Sequence, residues 1–400
     1  YMAEQGSRPV IFLSLKEVRG QNFAEFLVVL REFLRRLYLR YDYLLDSPQL
    51  HETEKKNMQN IINNTANMAE LQFSLHNLSA LLEKHFHKKA VLMLDEYDAP
   101  IITAWELGYY DECIFFMKQL FGAAFKTNDH LDFAVLTGVS RISKESIFSD
   151  LNNLRVCSVL SQKYSDILGF TEEETARLLE ESGVGDMMPD VKKWYDGYRF
   201  GNTDIYNPWS IIMYVDNGCE LEPYWLNTSG NAILQELLKR VDETRKNELL
   251  RLVQFKTVST QVNEGVIYPE LKTSTNALYM MLLTSGYLKS VKKYKDKQLR
   301  SWCDLKIPNI EVRTAYQTEI IDHLTGISRE TILYDMLNAM VEGNVIDFQK
   351  NLQWVLEHIV SYHDTAEGES FYHGLMLGLT VLMEGDYRVK SNRESGYGRF

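Results

Sequence analysis

The chain has 400 residues, 45% of them hydrophobic and 12% aromatic, enough apolar material for two or three domains with sizeable cores. Its formal net charge of −12 excludes a general nucleic-acid coat, because such binders use basic surface to displace counterions; any nucleic-acid contact must be local. Cys113, Cys157, Cys219 and Cys303 form no C-x-x-C pair, which favours reduced thiols in a cytoplasmic compartment over a disulfide framework or a zinc site.

A turn at Gly6-Ser7-Arg8-Pro9 leads directly into an apolar run, Val10 to Leu15, so the chain reads as starting mid-domain. Two further short apolar segments, Ala90 to Leu94 and Phe133 to Leu136, match the first, and long helical patterns separate the three. That alternation predicts an α/β sheet. Leu27, Leu30, Leu34 and Leu37 place a helix in Phe23 to Leu45, and Glu54 to Phe86 reads as helical, amphipathic from Leu71 to Leu82. Arg31, Arg35, Arg36 and Arg40 read as a solvated face of the first helix rather than a functional patch.

The character changes near residue 165, where Phe170-Thr171-Glu172-Glu173-Glu174 predicts a helix start with Thr171 as N-cap and Glu174 completing a capping box. An aromatic and glycine turn follows, Trp194 to Gly201, and then Tyr206-Asn207-Pro208-Trp209-Ser210, with Pro208 suited to a first helical turn. Residues 232–255 and 274–284 read as helices. Gly286 to Asn309 reads as two strands around a lysine-rich tip, Lys292 to Lys297, in the manner of a winged-helix wing; such a tip is more often a solubility feature than a binding site. From Tyr316 to Met383 the pattern is helical, and the apolar stretch from Phe371 to Met383 is too short to span a bilayer.

The densest chemical signal is Val91-Leu92-Met93-Leu94-Asp95-Glu96, a buried strand delivering two adjacent carboxylates at its carboxyl end. In nucleoside triphosphatases the first such carboxylate holds Mg²⁺ and the second polarises the attacking water, the Walker B arrangement. Alone, the pattern fits an ordinary strand end equally well. The neighbouring strand ends at Thr137-Gly138, where a polar residue that contacts a γ-phosphate or water would stand, or simply a small strand-end cap. Arg141 offers a fork of donors to phosphate oxygens, or a surface ion pair. Gly138-Val139-Ser140 is not a nucleophile elbow, because Ile142 occupies the second glycine's position. The pairs His85/His87 and His358/His363 are not spaced as metal ligands on one helical face. No G-x-x-x-x-G-K-[ST] loop occurs in the chain.

Taken together and in order, Leu94 to Pro100, Leu136 to Phe148, Trp194 to Gly201, Tyr206 to Ser210 and Tyr224 to Ser229 resemble the AAA-ATPase-like family of prokaryotic proteins that carry a PD-(D/E)XK nuclease-like domain at the carboxyl end. Leu305 to Val312, Phe371 to Gly374 and Val389 to Arg399 resemble the linker and opening of that domain. The resemblance implies an α/β chain: a P-loop NTPase-like parallel sheet without its first strand and P-loop over 1–165, a helical lid over 166–235, a winged-helix-like linker over 236–314, and the helical start of a truncated PD-(D/E)XK-like domain over 315–400. By position, Asp95 becomes the Mg²⁺-side carboxylate, Glu96 the catalytic water-orienting one, Thr137 a sensor and Arg141 a phosphate contact. Glu394 would assist a nuclease site or act as a turn carboxylate paired to Arg393 or Arg399. The implied cofactors are ATP and Mg²⁺, and the implied activity is ATP hydrolysis coupled to a nuclease-like domain acting on nucleic acid, with no membrane partner. The alternative is a non-cleaving, ATP-dependent scaffold or sensor. On either reading the phosphate-binding loop lies outside these 400 residues, which alone would be inactive, and the oligomeric state is open.

Overall fold

The computed structural model describes residues 4–126, 128–138, 154–227, 241–253, 255–262, 275–316, 332–359, 376, 394–395 and 398–399. The chain divides into two compact units, the first comprising residues 1–156 with 264–277 and the second 157–263 with 278–400.

The first unit is a mixed α/β fold on a three-stranded sheet of β1 (Val10–Ser14), β2 (Ala90–Asp95) and β3 (Leu131–Leu136), in that spatial order. All neighbours are parallel, with Val10 opposite Val91 and Leu92 opposite Ala134, consistent with a P-loop-like domain. Parallel neighbours need long crossovers, and the helices supply them. Between β1 and β2 run α1 (Phe23–Leu39), α2 (Glu52–Ile62), α3 (Met68–Gln72) and α4 (Ser74–Phe86); α5 (Ala99–Leu107) and α6 (Tyr110–Phe125) lead to β3. Asn22 caps α1 by accepting from the Glu25 amide, and Phe26, Leu30, Leu34, Leu37 and Tyr38 form its buried stripe.

Two helical expectations need correction. The first helix stops at Leu39 rather than Leu45, and a separate 3₁₀ turn covers Asp42–Asp46. Between them the chain turns so that the Tyr41 hydroxyl donates to the Val10 carbonyl at 2.8 Å. The stretch from Glu54 to Phe86 is three helices: Asn64 takes a left-handed conformation (φ 56°) that asparagine tolerates, Asn67 then starts a new helix with Glu70 in a capping box, and Phe73 (φ −92°, ψ 3°) leaves helical geometry between the second and the third.

The sheet has one covered face and one open face. Ile11, Leu13, Leu92 and Leu94 are buried, whereas Val10, Phe12, Met93, Phe133 and Val135 are 37–52% exposed. Parallel sheets ordinarily bury both faces, which is why the strands read as continuous apolar runs.

The second unit opens with α7 (Glu172–Glu181), whose Thr171 N-cap and Glu174 form the expected capping box. It continues through α8 (Met188–Tyr195), the hairpin of β4 (Tyr198–Phe200) and β5 (Thr203–Ile205), and α9 (Pro208–Asp216), which begins at Pro208 as its sequence requires. Leu179, Val191, Tyr195, Tyr206, Ile211 and Tyr214 make its core. Gly197, between α8 and β4, has φ 127°, and a Cβ there would meet the Pro308 carbonyl oxygen at 2.3 Å, so only glycine fits.

Further along, α10 (Glu243–Val253), β6 (Val258–Gln261), α11 (Thr275–Thr284), β7 (Lys289–Lys295), β8 (Ser301–Lys306) and α12 (Ile310–Tyr316) include an antiparallel sheet ordered β6-β8-β7. The basic hairpin tip is displaced from its expected position. Lys292 to Lys295 lie within β7, and the turn is built on Asp296, whose carboxylate accepts from the amides of Gln298 and Arg300 and from the Trp302 indole. Two helices, α13 (Ile332–Val341) and α14 (Val345–Ile359), and a two-residue antiparallel pair, β9 (Glu394–Ser395) with β10 (Gly398–Arg399), complete the described chain. Of the helical expectations for 232–255 and for Tyr316 to Met383, residues 232–240, 254, 317–331 and 360–383 except Met376 lie outside the described residues. Among the described residues no helix is long and apolar enough to cross a membrane.

Candidate functional site

The carboxyl ends of the three parallel strands bring together residues far apart in sequence. Ser14, the last residue of β1, lies opposite Asp95, the last residue of β2, and the strand next to β2 ends one residue before Thr137. The carboxyl edge of a parallel α/β sheet is where such folds bind ligands, because the loops there splay apart and backbone groups are free to face solvent.

Asp95 and Thr137 are joined directly. The Thr137 hydroxyl donates to Asp95 Oδ1, and the same oxygen accepts from the Glu96 amide at 3.0 Å. Main-chain bonds fix the spacing: Thr137 N donates to the Leu94 carbonyl at 2.9 Å and Tyr97 N to the Thr137 carbonyl at 3.1 Å. On the other side Leu15 N donates to the Asp95 carbonyl at 3.0 Å. Asp95 is therefore clamped from both neighbouring strands.

Glu96 has φ 48°, a left-handed conformation that is unfavourable for a non-glycine residue. That backbone twist ends the strand and precedes α5: Ala99 N donates back to the Glu96 carbonyl at 3.2 Å. The side chain stays 37% exposed, and Lys16 Nζ stands 4.0 Å from Glu96 Oε1. Asp98, two residues on, is 2% exposed. A Cβ on Gly138 would lie 2.6 Å from Asp98 Oδ1 and 2.7 Å from the Tyr97 ring, so the glycine after Thr137 is what lets the two strand ends close against each other.

Among the described residues no group of three or more His, Cys, Asp or Glu side chains could hold an ion. A lone carboxylate with a neighbouring hydroxyl fits a hard ion such as Mg²⁺, which takes oxygen ligands and receives most of them from water and substrate phosphates.

Of the sequence-derived candidates, Asp95, Glu96 and Thr137 converge, and Arg141 lies outside the described residues. Ser14, Lys16 and Gly138 were not singled out as site residues. Ser14 could have been found by aligning the three apolar runs at their polar ends; Lys16 carries no local signal. His85 is satisfied by the Ser47 hydroxyl at 2.8 Å, in line with a structural histidine.

Residues 1–148 match the model of the AAA-ATPase-like family, described as predicted AAA-ATPase. A protein of Azotobacter chroococcum mcd 1, described as an uncharacterized protein in the vnfD 5′ region, is 26% identical over 312 residues, covering 74% of this chain. The matched region spans 58% of that relative's length. No solved structure matches the chain.

Proposed function

We propose that the first unit carries the hydrolytic half of an ATP-binding and ATP-hydrolysing site, the function that the likeness of residues 1–148 to an ATPase family suggests. The observation that carries this reading is the convergence of Asp95, Glu96 and Thr137 at the ends of two adjacent parallel strands, with Thr137 hydrogen-bonded to Asp95. Asp95 would hold Mg²⁺, which when bound supplies charge neutralisation for the phosphoryl oxygens. Glu96, the next residue and partly exposed, would accept a proton from a water and orient it. Thr137 holds the Asp95 carboxylate in place through its hydroxyl and, exposed at the strand end, can report a phosphate that competes for it.

Among the described residues one face of the sheet is open and the outer edge of β3 is unpaired, which on this reading leaves room for a strand and helix bearing a phosphate-binding loop. The second unit would act as lid and linker, and residues 315–400 as the opening of a nuclease-like domain whose action on nucleic acid follows nucleotide state. The test is Glu96→Gln in the complete protein. Phosphate release should fall by roughly 10²-fold or more, the typical contribution of a positioned general base, while ATP binding is retained. Unchanged turnover would remove Glu96 from the role.

A further inference from the structure

The three arginines of α1 and Arg40 at its C-cap do not act as one solvated face. Arg31 donates to the Ala66 carbonyl at 2.6 Å and Arg35 to the Ile62 carbonyl at 3.0 Å, so these two close the end of α2 and the chain after it. Arg36 and Arg40, one helical turn apart, instead line a cavity of about 300 Å³ together with Lys16. Phe12, Leu13, Phe33 and Leu37 form its apolar wall, and Ser14 and Glu17 complete the lining.

We propose that this cavity is a binding site for a nucleotide phosphate, separate from the Asp95 centre and coupled to it through Lys16. Three cations against one carboxylate, Glu17, leave the lining net positive in a chain of net charge −12. Among the described residues Arg36 is engaged only by Glu32, at 3.0 Å, and both side chains are at least partly exposed, so the pair is weak and exchanges readily for a better anion. Arg40 makes no ion pair among the described residues. Guanidinium groups present forked donors that match the several oxygens of a phosphate, which a single peptide carboxylate does not fill. The phenylalanines beside them offer an apolar surface for a base, and the volume lies at the small end of the ~300–1,000 Å³ of ligand sites, room for one nucleotide.

Lys16 is shared between the two sites. It lines the cavity and stands 4.0 Å from Glu96 Oε1, so a phosphate that draws the ammonium away releases Glu96 from its only ion pair among the described residues. The coupling rests on the hydrolytic reading given above; the binding does not. The phosphate could belong to a free nucleotide or to the end of a single-stranded nucleic acid.

The experiment is calorimetric titration of the 400-residue chain with AMP, inorganic phosphate, a single-stranded oligonucleotide and an oligoglutamate peptide. AMP should bind more tightly than inorganic phosphate, and the double substitution Arg36→Gln/Arg40→Gln should weaken it roughly 10-fold or more, the loss expected for charge-assisted contacts. Lys16→Gln should weaken it as well. An oligonucleotide that binds tighter than AMP, with a salt dependence lessened by the double substitution, identifies nucleic acid as the source; equal affinity identifies the free nucleotide. Absence of saturable AMP binding, affinity unchanged by the double substitution, or oligoglutamate binding as tightly as AMP would each overturn the proposal. By the same coupling Glu96→Gln should leave AMP binding as tight or tighter, so loss of hydrolysis and loss of this site are read separately.

Discussion

The Thr137 hydroxyl donates to Asp95 Oδ1 across 42 residues of sequence, joining the ends of two parallel strands. Thr137→Val keeps the shape and removes the donor. The expected cost is about 1 kcal/mol of stability, as for a single hydrogen bond, measured by urea denaturation. In the complete protein it should also weaken the Mg²⁺ dependence of phosphate release, which a purely structural strand cap would leave unchanged.

Glu96 stores backbone strain. Its φ of 48° suits glycine, so Glu96→Gly should raise the melting temperature, by the equivalent of about 1 kcal/mol, while removing the carboxylate. Glu96→Gln keeps the strain. A stabilised but inactive Glu96→Gly beside an unstabilised, inactive Glu96→Gln would separate the cost of the conformation from the role of the side chain.

Glu311 makes the second unit sensitive to pH. It is fully buried, and burial lifts its carboxyl from 4.5 to about 7, although the Trp225 and Tyr224 amides and the Ser210 hydroxyl all donate to it. Because the folded value is raised, the folded state binds the proton more tightly, and stability is fully present below about 4.5 and lost as pH rises toward 7. The loss is on the order of 3 kcal/mol at most. Thermal denaturation between pH 5 and 8 should show this slope, and Glu311→Gln should flatten it.

The open apolar face of the sheet predicts poor solubility. Phe133 and Val135 are 47% and 45% exposed on β3, an edge strand among the described residues. Phe133→Thr/Val135→Thr keeps β-forming residues while removing apolar surface, so soluble yield should rise with the melting temperature little changed. A large drop in melting temperature would mean that the face is covered in solution.

Gly138→Ala should be costly for a reason visible only in three dimensions. The added methyl meets Asp98 Oδ1 and the Tyr97 ring below 3 Å, so the turn after Thr137 must shift, with an expected loss of about 1–3 kcal/mol. Denaturant unfolding compared with the parent chain measures it.

Local pattern alone determined much of this protein. The strands at Val10 and Ala90 and the Phe133–Leu136 part of β3 follow from short apolar runs, whereas β3's start at Leu131, across Asp132, does not; the cap at Thr171 follows from hydrogen bonds within four residues, and the start of α9 from the fixed φ of Pro208. Asp95 and Glu96 were legible for the same reason, since a strand and the carboxylates at its end are consecutive in sequence. Helix lengths were less so: the periodic stretch after Glu54 hides its breaks, because Asn64 and Asn67 end and restart helices, and Phe73 separates the next two, without disturbing the apolar count. What only the tertiary structure decided are the relations across the sheet. Strand order places Thr137 on Asp95 and Lys16 beside Glu96, and the side of α1 that faces β1 divides its arginines between carbonyl partners and a cavity. Pairing register and helix docking depend on contacts between residues tens of positions apart, and a single segment's periodicity holds no record of its partner.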